Sequence, residues 1–128
     1  MKQIIIESES IGKIRVEITE ENPKTAEKFL KILPIEAKAN LWGEEIYFKI
    51  PIDKIEPENP RQVVKEGEIA IWIEEPSLCI FFGKTPVSND KEIRAYSDVN
   101  VIGRVKGDCK VFRKVKNGNE IKVYVSED

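Results

Sequence analysis

At 128 residues the chain has room for one domain and not for two of ordinary size. Hydrophobic residues make up 41% and charged residues 34%, the balance of a globular chain and not of a disordered or membrane-spanning one. The 21 basic and 23 acidic side chains leave a net charge of −2, which gives no default polyanion-binding surface and so no nucleic-acid partner; the absence of histidine excludes Ser-His-Asp and Cys-His catalysis, imidazole zinc sites and histidine pH switches.

Nineteen Ile and 11 Val stand against four Leu and five Ala. Branching at Cβ costs rotamer freedom in a helix and suits the pleated surface of a sheet, so a mainly β domain is expected. Eighteen Glu and 16 Lys, with two Gln, one Met and two Cys, match the usage of proteins from hot-growing organisms. The apolar run in MKQIIIESES is three residues long, too short for a signal peptide or membrane span, which points to a cytoplasmic protein with no membrane partner. Cys79 and Cys109 sit amid apolar residues and read as buried reduced thiols, with a disulfide as the minority alternative.

Along the chain, Lys2–Glu7 and Lys13–Thr19 form a predicted hairpin; in the second, Ile14, Val16 and Ile18 alternate with Lys13, Arg15 and Glu17. Asn22-Pro23 opens one firm helix, with Asn as N-cap and Pro at the first helical position. Ala26, Phe29, Leu30 and Leu33 make its apolar stripe, Glu27 and Lys31 pair four apart, and Pro34 ends it. A strand at Ile35–Ala39, a turn around Gly43 and a strand at Ile46–Ile50 follow. Asp53–Glu66 is a long charged connection, read as a solvated loop or a mobile lid, with one helical turn at Pro60–Val64. Glu68–Ile73 and Leu78–Phe82 are strands, the latter apolar enough to be buried on both faces. A polar loop spans Gly83–Arg94. Gly103 interrupts the strand Val99–Val105 where backbone approaches closely or bends. Lys110–Val115 and Glu120–Val125 read as strands joined through Asn117-Gly118. Eight or nine short strands and one helix imply a barrel or a sandwich.

No cofactor or metal motif appears. Gly83-Lys84-Thr85 lacks the glycine that a phosphate loop needs five positions before its last glycine, because Leu78 stands there, and there is no G-x-G-x-x-G. Glu44-Glu45 and Glu74-Glu75 read as solvated turn charges, since neighbours on a strand point to opposite faces and cannot share a proton. Trp42, Tyr47, Trp72, Phe81, Phe82 and Tyr96 are more informative. If Ile46, Phe48 and Ile50 face the core, Tyr47 and Lys49 face outward; if Ile69 and Ile71 face the core, Trp72 faces outward too. One of Phe81 and Phe82 also leaves the core. These rings either line an outer groove or are covered to make a second small core.

Four segments carry a resemblance. Asn22–Phe29 (NPKTAEKF), Tyr47–Ile50 (YFKI), Ile80–Phe82 (IFF) and Val99–Val105 (VNVIGRV) occur in the order of similar segments in cyclophilins, the peptidyl-prolyl isomerases. Trp42–Phe48 (WGEEIYF), Leu78–Pro86 (LCIFFGKTP) and Asn100–Arg104 (NVIGR) resemble more closely the short bacterial and archaeal branch of cyclophilin-like proteins of unassigned function. The resemblance implies a single cyclophilin-like domain over 1–128, a closed eight-stranded barrel capped by a helix. The cyclophilin arginine falls on Lys49, which lacks the planar fork of donors, the glutamine falls on Ile80, and only Phe82 matches a groove position. Trp72 falls where cyclophilins keep a small residue. Efficient isomerisation is therefore not expected. The leading expectation is a non-catalytic groove for a small molecule or peptide, lined by Tyr47, Lys49, Trp72, Ile80, Phe82, Arg94 and Tyr96, with Lys49 or Arg94 pairing an anionic group. A weak isomerase using Lys49 and Phe82, and an interaction or oligomer patch, are the alternatives. The groove reading needs Lys49 and Phe82 side by side on the exterior.

Overall fold

The computed structural model describes residues 2–127. In chain order these form β1 (Gln3–Ser8), β2 (Gly12–Ile18), α1 (Pro23–Lys31), β3 (Ile35–Lys38), β4 (Asn40–Leu41), β5 (Glu45–Lys49), β6 (Arg61–Val64), β7 (Glu68–Trp72), β8 (Ser77–Phe81), β9 (Ile93–Val105), a 3₁₀ helix (Cys109–Lys114) and β10 (Glu120–Val125). One antiparallel sheet runs in the order β3-β10-β1-β2-β9-β7-β8-β5-β4, with β6 added against β9.

The strands number ten and not eight, and the sheet is rolled without closing into a barrel. Its two ends are the consecutive strands β3 and β4. Between them, Ala39 donates to the Asn119 carbonyl (2.8 Å) and accepts from the Gly118 N–H (2.8 Å). Both of its backbone groups are thus spent on the Lys116–Asn119 turn. The Asn-Gly dipeptide does make a turn, with Gly118 at φ +89°, but not the expected hairpin: β10 pairs with β3 and β1.

The inner face holds the main core. Ile4, Ile6, Val16, Ile46, Phe48, Ile69, Ile71, Leu78, Ile80 and Ile102 alternate inward along their strands, and Ala26 and Phe29 of α1 join them. The Glu27–Lys31 pair forms at 3.4 Å on the solvent side of α1. Gly103 is the close approach its position in a strand suggests. A Cβ there would stand 2.7 Å from the Glu17 carbonyl oxygen and 3.2 Å from Ile69.

Two local expectations are overturned and a third is refined. Lys110–Val115 is not a strand: Cys109, Phe112 and Val115 recur every third residue, the period of a 3₁₀ helix, and all three are buried in the main core. Asp108 begins that helix by accepting from the Lys110 N–H (2.9 Å). Pro60–Val64 is not a helical turn: Arg61–Val64 pairs with the first half of β9 as a strand, which suits the branched Val63 and Val64. The Asp53–Glu66 connection is largely exposed up to Pro60, as a solvated loop should be, but it is tied to the body of the fold. Ile55 is buried, and the Glu58 carboxylate caps α1, accepting from the N–H groups of Lys24 (3.1 Å) and Thr25 (3.0 Å) and from the Thr25 hydroxyl (2.9 Å). Desolvation opposes ionisation of Glu58, but these hydrogen bonds outweigh it and hold the carboxyl below its ordinary value. The expected cap, Asn22, is occupied elsewhere: it donates to the Val101 carbonyl (2.8 Å) and accepts from the Asn59 N–H (2.7 Å). Fully buried Asn100 completes the clasp, donating to the Thr25 hydroxyl and the Glu56 carbonyl, both at 2.9 Å.

The 13-residue β9 leads to the outer face. Its second half lies in the sheet between β2 and β7, while its first half pairs with β6. Val64 of β6 and Ile93 and Ala95 of β9 pack on Ala70, Cys79 and Phe81, forming a second, smaller core on the side of the sheet away from the first. That is why β8 is buried on both faces. Of the two thiols, Cys79 belongs to this outer cluster and Cys109 to the inner core, and neither is bridged. No helix is long and apolar enough to cross a membrane, as judged on the described residues.

Candidate functional site

The outer core stops short of the end of β5, and a cavity of about 170 Å³ opens there. Strand alternation dictates its floor. Glu45 and Tyr47 share the outer side of β5, Cys79 that of β8, and Trp72 that of β7. The register sets Tyr47 opposite Cys79, Cys79 opposite Ala70, and Trp72 opposite Ser77. Trp42 arrives from the tight β4–β5 turn, where Trp42 and Glu45 exchange backbone hydrogen bonds of 3.0 and 3.2 Å across Gly43 (φ +61°). Ala95, Tyr96 and Val99 of β9 complete the lining.

Three rings form the rim. Tyr96 is 65% exposed and meets both Trp42 and Trp72 edge-on, with centroids 5.9 Å away in each case. The Trp72 indole N–H donates to the Ser97 hydroxyl (2.7 Å), which donates to Glu74 (3.0 Å). This relay holds the ring in place.

Glu45 supplies the electrostatics. It is 5% exposed, and burial pushes its carboxyl up to about 7; hydrogen bonding with the Cys79 thiol works in the opposite direction. Burial, and then the neighbouring Glu45 charge, raise the Cys79 thiol well above its ordinary value, so Cys79 is not an activated nucleophile. Glu45 is thus no solvated turn charge. Its neighbour Glu44 points the other way and accepts from Arg113 Nε (2.7 Å); that hydrogen bond lowers its carboxyl.

Of the seven residues singled out from sequence, Tyr47, Trp72 and Tyr96 come together in this cavity. Ile80 and Phe82 do not. Both are buried in the main core on the opposite face, and Phe82 packs on Phe112 at 6.2 Å between ring centroids. Along β8 the outward side chains are Cys79 and Phe81, so Ile80 between them faces the inner core. Lys49 is exposed and outside the cavity lining, so Lys49 and Phe82 cannot act on one amide. Arg94 pairs with Glu92 (3.0 Å) and does not line the cavity. Trp42, Glu45 and Cys79 are lining residues that the sequence reading left out. Glu45 was findable, since it lies two residues before Tyr47 and therefore on the same face.

A rolled antiparallel sheet, one helix and an aromatic cavity on the outside of the sheet define the class of the protein. The family model described as cyclophilin-like matches residues 2–124. The chain belongs to the cyclophilin-like family. A solved relative is similar throughout: the solution structure of a hypothetical protein from Archaeoglobus fulgidus, 40% identical, covering 96% of this chain and 93% of that one, with a TM-score of 0.82. No curated protein matches.

Proposed function

We propose that this chain is a ligand-binding member of its family, taking a small organic molecule, or a single side chain of a peptide, in the cavity bounded by Tyr47, Trp72 and Tyr96. The observation that carries this reading is the edge-on contact of Tyr96 with Trp42 and Trp72 beside a carboxyl that has been taken out of water. Aromatic rings with an exposed edge supply large contact area at low entropic cost, and a few polar groups in an apolar cavity fix orientation. A volume of about 170 Å³ suits one compact group and not an extended chain. An engineered apolar cavity of about 150 Å³ holds benzene. Prolyl isomerisation finds no support here, because twisting an amide requires donors set for the transition state and the aligned residues are divided between two faces.

The chain has two tryptophans, and both line the cavity. A fragment screen followed by NMR on the ¹⁵N-labelled protein therefore has two indole N–H reporters. Binding fragments are expected to shift both signals, and Tyr96→Ala is expected to weaken them at least about tenfold, the loss of roughly one aromatic contact. Hits that leave both indole signals in place, or that survive Tyr96→Ala unchanged, would contradict the reading.

A further inference from the structure

Resting on that reading, we propose that the group bound is a compact organic cation, an alkylammonium head seated over Glu45 within the rings of Trp42, Trp72 and Tyr96. The sequence alone suggested an anionic ligand, with Lys49 or Arg94 as its partner. The cavity reverses that polarity. Neither cation lines it, and Glu45 is the one charged residue that does.

The groups facing Glu45 carry no compensating charge. Tyr47 lies beside it on β5, Phe81 is its cross-strand partner, Cys79 abuts it from β8, and Tyr96 stands across the cavity on β9. Only burial and the Cys79 thiol perturb its carboxyl, with no basic side chain contributing. A carboxylate withdrawn from water without a partner is costly, and that cost is relieved when a cation arrives. The rings act in the same direction. Aromatic faces attract cations, tryptophan most strongly, and the attraction grows once water is excluded. An ammonium bearing small alkyl groups offers charge to Glu45 and apolar surface to the rings at once. The cavity volume of about 170 Å³ admits such a head and little more.

A sign follows for pH. The cation binds the ionised carboxylate and so releases a proton when Glu45 is protonated. With the free carboxyl near 7, affinity should be flat at high pH and fall about tenfold per unit as the pH drops below that value.

The test compares choline with its uncharged isostere 3,3-dimethylbutan-1-ol at about pH 8, above the Glu45 midpoint, using the Trp42 and Trp72 indole signals. Choline should shift both saturably and bind at least about tenfold more tightly than the alcohol. Glu45→Gln should weaken choline binding and narrow that preference to the part the rings supply, while leaving the alcohol's affinity unchanged. If that variant fails to fold, the pH series on the unaltered protein reads the same dependence. A trimethyllysine peptide run alongside distinguishes the source: tighter binding than choline assigns the cation to a protein side chain, and equal or weaker binding assigns it to a free amine. Equal affinity for choline and the alcohol, or choline binding that does not weaken at low pH, overturns the cation and leaves the cavity as a ligand site. Silence from both overturns the cation too, and the fragment screen then decides separately whether the cavity binds anything.

Discussion

Replacing Phe112 with Ala should cost about 3–5 kcal/mol, read as a lower denaturant midpoint with an unchanged slope. Phe112 has no exposed surface and lies against Phe82 within the main core. It reaches that position because Cys109–Lys114 winds as a 3₁₀ helix and directs every third side chain inward. Truncation removes the buried ring and leaves a void that neighbours on rigid strands can fill only in part. Phe112→Leu keeps most of the volume and should cost less than about 2 kcal/mol. The comparison with Val111→Ala separates the two conformations of this segment. Val111 is only partly buried, so its truncation should be the milder change. If Val111→Ala costs more than Phe112→Ala, the segment is not the 3₁₀ helix described.

The second large effect is expected at Arg61. Its guanidinium donates through Nε to Glu21 (2.7 Å), through one terminal nitrogen to Glu21 (2.9 Å) and Glu68 (2.7 Å), and through the other to the Val63 carbonyl (2.8 Å). The Glu68 side chain is 5% exposed and that of Arg61 30% exposed. Its hydrogen bonds to Glu21, then to Glu68, raise the Arg61 pKa further, so the guanidinium stays charged. Arg61→Met would leave the buried Glu68 carboxylate with the Lys65 N–H (2.7 Å) and no counter-charge. Breaking one side of such a pair costs about 3 kcal/mol or more. Glu68→Gln in the Arg61→Met background should recover most of that loss, since the amide oxygen keeps the Lys65 bond and no charge is stranded. A double variant as unstable as the single one would show that the loss lies in packing and not in the stranded charge. Arg61 also begins β6, the strand paired with the part of β9 that carries Ala95 and Tyr96. Faster amide exchange along Arg61–Val64 and Ile93–Tyr96 should accompany the lost stability.

Both sites show where sequence patterning carries and where it stops. Period-two alternation made β2, β5 and β7 legible, and the outward direction of Tyr47 and Trp72 followed from it. The helix was legible from its stripe and from Pro23. Other features depended on distant partners. Glu58 displaces Asn22 as the cap of α1 from 36 positions down the chain, and β6 becomes a strand because β9 is there to receive it. The spacing of Cys109, Phe112 and Val115 was visible, but three apolar residues at period three sit close to a strand pattern in so short a run. For Ile80 and Phe82, a segment similarity without a fixed phase assigned the wrong face. Glu45 was obscured because an acidic pair beside a glycine reads as a turn charge, and its burial depends on tertiary packing that the local sequence does not show.

The most direct measurement is a carboxyl-carbon NMR titration of Glu45 in the ligand-free protein. A carboxyl buried in the floor of this cavity should titrate with a midpoint near 7. A midpoint at about 4.3, that of a glutamate in water, would mean that the side chain is solvated and that no such enclosed acidic site exists.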